Sequence, residues 1–187
     1  MCNFARLQKN TGQTLCFGYT SVHMVNLRCT GKLQKRLRVK LKAEQAPSSG
    51  KLGDWTCHLV YLGQTQTILC VNHTTRLPIF LTAANGKQFP DRLQHALRII
   101  LTHFAVPQSA IYRECSELDT VILAKTNDRS VLGSLNDFAQ MADYYDVAAG
   151  EHQLLRLSLH LAQTPCKPID YQSPNNFVKQ LLAPAKG

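Results

Sequence analysis

The chain has 187 residues, 44% hydrophobic and 18% charged, with 21 Lys and Arg against 12 Asp and Glu for a formal net charge of +9. That length suits one domain able to bury a core, and apolar and aromatic residues spread along it exclude a disordered polymer. No apolar run approaches the roughly 20 residues that span a bilayer, and the N-terminus lacks a signal-peptide core, so the expectation is a cytoplasmic protein with no membrane partner.

Residues 1–23 carry a turn-like run (Lys9, Asn10, Thr11, Gly12, Gln13, Thr14) and are expected to form an N-terminal extension before a single α+β domain over 24–187. The positive charge is concentrated near the front: residues 1–44 hold nine Lys and Arg against Glu44 alone, a net of +8. Its densest part is 32–42, with Lys32, Lys35, Arg36, Arg38, Lys40 and Lys42. Leu33 and Leu37 suit a helical turn after Thr30, and then Leu37, Val39 and Leu41 alternate with cations as a half-exposed strand does. Either form presents a basic stripe, which suits the backbone phosphates of DNA or RNA. The stripe has no interleaved aromatics, and a solvated face that keeps an edge strand from pairing explains it equally well.

Pro, Ser and Gly mark a surface loop over 43–52. Apolar runs at 55–62 and 67–72 flank Gly63, Gln64 and Thr65 and predict a hairpin, with a third strand at 77–82 after the turn at 72–75. Asn72, Thr74 and Arg76 are placed to reach a site, although turn chemistry accounts for the Asn and the Thr. Pro90 opens an amphipathic helix with Leu93, Leu97, Ile100, Leu101 and Phe104 on one face, and Pro107 starts a shorter one through Ile111 and Cys115.

The densest cluster of candidate function follows at 119–137. Val121, Ile122 and Leu123 read as a buried strand, Thr126, Asn127 and Asp128 as a turn, and Val131, Leu135, Phe138, Ala139 and Ala142 as the apolar face of a helix over 130–145. Ser130 and Ser134 are its candidate N-caps. A turn of this kind before a helix can hold an anion on free N–H groups, giving Lys125, Asn127, Arg129, Ser130, Ser134, Asn136 and Asp137 as anion- or ligand-binding candidates. It is not a Walker loop, and polar residues in such a turn more often cap the helix and tie the turn than hold a ligand. Residues 154–161 fit a strand or a helix and are read as a helix. Ser173 and Pro174 begin a terminal helix with Phe177 and Leu181 inward.

The run from Thr126 to Phe138, T-N-D-R-S-V-L-G-S-L-N-D-F, resembles the signature of a family of small uncharacterised bacterial proteins. The likeness extends from Met24 through Arg28, Cys29, Thr30, Trp55, Asn72 and Arg76 to Leu161, Ala162, Gln163, Thr164, Pro165 and Cys166. It implies a fold and no activity.

Seven cysteines without a C-x-x-C pair and seven scattered histidines give neither a zinc pattern nor a disulfide framework, so no metal and no cofactor is expected. Cys57 and Cys70 fall within strand patterns, as reduced small hydrophobes do. The order of elements predicts an α+β fold, an antiparallel sheet of about four to five strands with helices packed on one face. Three functions fit: a nucleic-acid-associated accessory protein using the basic stripe, an enzyme or nucleotide- or phosphate-binding domain centred on 125–137, and a protein-interaction module. The first is favoured, because the charge asymmetry is a physical fact of the chain. Whether the protein is an enzyme stays open, since no nucleophile–base–orienter set can be assembled from the order alone.

Overall fold

On a strand, residues i and i+2 share a face, so the alternation of large apolar residues dictates which side of the sheet each one enters. The computed structural model describes residues 24–41, 48–83, 88–126, 128–145 and 150–184. Its elements run β1 (Val25–Cys29), α1 (Gly31–Leu37), β2 (Trp55–Leu62), β3 (Thr65–Asn72), β4 (Pro78–Thr82), α2 (Phe89–His103), α3 (Gln108–Ser116), β5 (Val121–Lys125), α4 (Arg129–Ala142), α5 (Glu151–Leu161) and α6 (Pro174–Leu182). The five strands form one sheet in the order β4-β3-β2-β1-β5.

The α+β class, the strand count and the hairpin stand; the pairing and the layering need correction. β2, β3 and β4 are antiparallel neighbours, but β1 runs parallel to both β2 and β5, so the sheet is mixed. The hairpin is written locally, in Gly63 at φ 57° between two apolar runs. The pairing of β1 with β5 joins residues about a hundred positions apart and leaves no local mark.

Helices cover both faces rather than one. On the front, Leu27, Trp55, Cys57, Ile68, Cys70 and Ile79 meet Leu33 and Leu37 of α1, Leu93 and Leu97 of α2, Ile111 of α3 and Val178 of α6. On the back, Val60, Leu62, Leu69, Val71 and Phe80 meet Val131, Leu135 and Phe138 of α4 and Leu154, Leu157 and Leu161 of α5. β3 and β4 are buried in nearly continuous runs, which is the mark of strands covered on both sides.

Three local expectations also change or settle. Residues 39–41 are not a strand: Arg38 turns left-handed at φ 54° and returns its N–H to the Gln34 carbonyl at 3.0 Å, ending α1. Val39 and Leu41 still dock on the front core. The N-cap of α4 is Asp128, not Ser130 or Ser134, and residues 154–161 are helical. The expected extension over 1–23 lies outside the described residues. Among the described residues, no helix is long and apolar enough to cross a membrane.

Loop 48–52 is pinned rather than merely exposed. The buried carboxylate of Glu114 accepts from the Lys51 and Leu52 N–H groups, and that of Glu117 accepts from Ser49 Oγ at 2.6 Å. Buried carboxylates are tolerated where N–H and O–H donors replace lost water, and these two hold the chain entering β2.

Candidate functional site

β1 and β5 lie side by side with Cys29 opposite Lys125, so both strands leave the sheet at the same end. From there α1 goes to the front core and α4 to the back. Parallel strands whose connections diverge in this way create a switch point at their carboxyl ends, the usual place for a ligand in open sheets of this type. The two groups of residues singled out by sequence start from these neighbouring strand ends: Lys32 lies in the first turn of α1, while Lys125 and Arg129 flank the turn into α4, and all three are exposed. Thr30 Oγ1 lies 2.6 Å from His58 Nδ1, and burial together with the charge of Lys32 pushes His58 below the ordinary histidine value.

From Lys32 the cations continue as a ridge. Lys35, Arg36, Arg38 and Lys40 are exposed, and Lys42 lies outside the described residues. Among the described residues, none of the five cations from Lys32 to Lys40 lies within ion-pair distance of a carboxylate. Arg36 is held in place by neutral partners, with Nε donating to Gln66 Oε1 at 2.8 Å and Nη2 to the Ala83 carbonyl at 3.3 Å. Gln66 in turn donates to the hydroxyl of Tyr61 at 3.1 Å, and Tyr61 is 54% exposed. The stripe has no aromatic residue in sequence, yet the β2–β3 hairpin brings one to its end.

The second cluster lies on the back of the sheet, beneath the start of α4. Arg28 and Thr56 are neighbours on β1 and β2. Arg28 pairs with Asp54 at 2.8 Å, and Asp54 also accepts from Asn26 at 3.0 Å and from Ser48 Oγ. Burial raises the Asp54 carboxyl, but these hydrogen bonds and the Arg28 charge outweigh it and hold the group below the usual carboxylate range. His73 sits between Thr56 Oγ1, 2.8 Å from its Nε2, and Asp128 Oδ2, 3.8 Å from its Nδ1. Burial pushes His73 below its ordinary value, with Asp128 and Asp54 opposing and Arg28 and Arg76 assisting.

Asn72 builds the turn that carries His73 and Arg76. Its buried amide accepts from Thr74 N, Thr75 N and Thr75 Oγ1 and donates to the Leu52 and Asp54 carbonyls. This network holds Arg76 at φ 58°, a left-handed conformation unfavourable for a side chain of that size. Arg76 then donates to the His73 carbonyl at 2.8 Å and to Ser130 Oγ at 3.2 Å, and burial lowers its guanidinium below the usual arginine value.

The anion-site candidates are thus only partly assembled. Ser130 meets Arg76, and Ser134 turns its hydroxyl back to the Ser130 carbonyl at 3.4 Å. Asn136 and Asp137 are exposed farther along α4, and Asn127 lies outside the described residues. The positive end of α4 is already occupied, because Asp128 Oδ1 accepts from Ser130 N at 2.8 Å and Val131 N at 3.1 Å. A carboxylate in that position takes the donors an anion would use and repels it. The turn caps α4 through Asp128 and ties it to Arg76 through Ser130.

Thr56, His73 and Asp128 form a hydroxyl–imidazole–carboxylate line resembling the order of a nucleophilic triad. Thr56 is fully buried and Asp128 is committed to α4, so the line ties elements together and presents no nucleophile to a substrate. Among the described residues, no three His, Cys, Asp or Glu side chains converge as metal ligands. Asp54, Thr56, His58 and His73 are members of these clusters that the sequence did not single out, because only the sheet register joins them.

No curated protein and no solved structure matches the chain. A family model does match residues 26–177, from within β1 to within α6 and thus most of the chain. On that match, the chain belongs to the family described as a domain of unknown function, DUF6933.

Proposed function

We propose that the protein binds the phosphate backbone of a nucleic acid along the α1 ridge and across the carboxyl ends of β1 and β5. The observation that carries this is the absence, among the described residues, of any carboxylate within ion-pair distance of Lys32, Lys35, Arg36, Arg38 or Lys40. Surface cations whose only job is solubility are ordinarily interspersed with acids. Lys125 and Arg129 extend the positive field over the switch point. Arg129 occupies the first turn of α4, where the helix dipole gives a cation no benefit.

Phosphate contact of this kind is insensitive to base sequence. Tyr61, tied to Arg36 through Gln66, adds one ring face for an unpaired base, which favours single strands over duplex. An enzyme centred on 125–137 is the weaker reading, because Ser130 and Ser134 are taken up by local hydrogen bonds and Asp128 fills the helix end.

Fluorescence anisotropy with labelled single-stranded and duplex DNA and RNA tests the proposal. The triple variant Lys32→Glu/Lys35→Glu/Lys125→Glu is expected to weaken binding by at least about a hundredfold at low salt, since each lost phosphate contact compounds. Undetectable binding of the unmodified protein at low salt, or equal binding by the triple variant, overturns it.

A further inference from the structure

β2 sends Trp55, Cys57 and Leu59 to the front core, so Thr56 and His58 between them face the back. The parallel ladder continues one residue past β1, because the Thr30 N–H donates to the Cys57 carbonyl at 3.0 Å, and this sets Thr30 beside His58 at the switch point. There the hydroxyl of Thr30, a residue only 8% exposed, holds His58 Nδ1 at 2.6 Å. The ring is half-buried. Its other nitrogen, Nε2, has no partner among the described residues and keeps contact with solvent.

Two features separate this ring from the cations around it. Burial and the charge of Lys32 both disfavour its protonated form, and among the described residues no carboxylate acts on it, so near neutral pH the ring is uncharged and adds nothing to the attraction for phosphate. Thr30 and the surrounding burial also fix its orientation, so little freedom is lost when a ligand arrives. A neutral imidazole nitrogen offers one directed hydrogen bond, as donor or as acceptor according to which nitrogen holds the proton. A hydroxyl gives and accepts and therefore matches either tautomer, whereas a phosphate oxygen only accepts.

Granted the phosphate contacts proposed above, on which this rests, we infer that the nucleic acid is RNA, with a ribose 2′-hydroxyl on His58 Nε2 and a neighbouring phosphate on Lys32. The 2′-hydroxyl is the group by which a protein tells RNA from DNA at a given site. Sugars alternate with phosphates along a single strand, so a hydroxyl reader beside the first cation of the ridge serves adjacent parts of one backbone. In DNA the same nitrogen meets a bare methylene and stays with water.

The test is fluorescence anisotropy at a fixed salt of about 50 mM with one sequence made as single-stranded RNA, DNA and 2′-fluoro RNA, the last keeping the ribose shape without the hydroxyl. RNA is expected to bind about three- to tenfold tighter than the other two, the yield of one neutral hydrogen bond. His58→Asn places its amide where Nδ1 lies, so it keeps the Thr30 bond and deletes Nε2. It should bring RNA down to the DNA affinity and leave DNA unchanged. His58→Gln, whose amide reaches the Nε2 position, should restore part of the preference. RNA binding no tighter than DNA, 2′-fluoro RNA binding as tightly as RNA, or His58→Asn weakening RNA and DNA alike overturns the assignment to RNA while leaving the phosphate contacts in place. Binding to none of the three overturns both. If His58→Asn does not fold, the ranking of the three oligonucleotides on the unmodified protein decides.

Discussion

Two histidines sit where their charged forms are disfavoured, and this sets the acid limb of stability. His58 and His73 both lie below the ordinary value, chiefly through burial. A depressed histidine is neutral in the folded state while the unfolded chain protonates near pH 6.5, so the folded state loses ground as pH drops below about 6.5. Asp54 is depressed too, but a depressed carboxylate keeps its full contribution above the unfolded value of about pH 4 and loses it as pH falls through the folded value. The two effects therefore separate by pH. Urea midpoints are expected to be flat from about pH 8 to 6.5 and to fall from there to about pH 5, where Asp54 is still ionised. His73→Gln, which still reaches Thr56, should remove part of that fall; a midpoint that rises between pH 6.5 and 5 would contradict the burial of both rings.

Among the elements, α4 shows how a short polar turn can be mistaken for a ligand site. Asp128 holds two of its first amides, Ser130 bonds Arg76, and His73 lies within reach of the Asp128 carboxylate, so the cap doubles as a lock between α4 and the 72–76 turn. Asp128→Ala is expected to destabilise the protein by about 1 kcal/mol, as loss of an N-cap does, with faster hydrogen exchange confined to the first turn of α4. Exchange accelerating equally in α5 would show that the cap has no local role. How far the chain could be read follows from the range of each signal. The hairpin, the helices with Leu93 and Leu97 or Val131 and Leu135 at their spacing, and the buried Cys57 and Cys70 were legible because a few neighbouring residues specify them. The parallel pairing of β1, the helices on two faces and the His73 cluster were not, since they arise between segments distant in sequence. The candidate site divides in the same way: exposure of the Lys32 to Lys40 cations follows from their alternation with Leu33 and Leu37, whereas Tyr61 reaches the ridge only through the fold.

At the scale of the whole molecule, the cations from Lys32 to Lys40 are exposed together, and among the described residues no carboxylate neutralises any of them. The other cations near the sheet are used differently: Arg28 is bound to Asp54, and Arg76 is buried against the α4 turn. The basic residues thus divide into a structural set on the back of the sheet and a free set on α1. The set on α1, together with Lys125 and Arg129, releases counterions when a polyanion binds. The most direct measurement is the affinity for a short single strand as a function of salt. The five ridge cations alone predict a slope of log affinity against log salt of about −3.5 on a single strand, or roughly 130-fold weaker binding on going from about 50 to 200 mM. A slope near zero, or no binding at the lowest salt, would contradict the account.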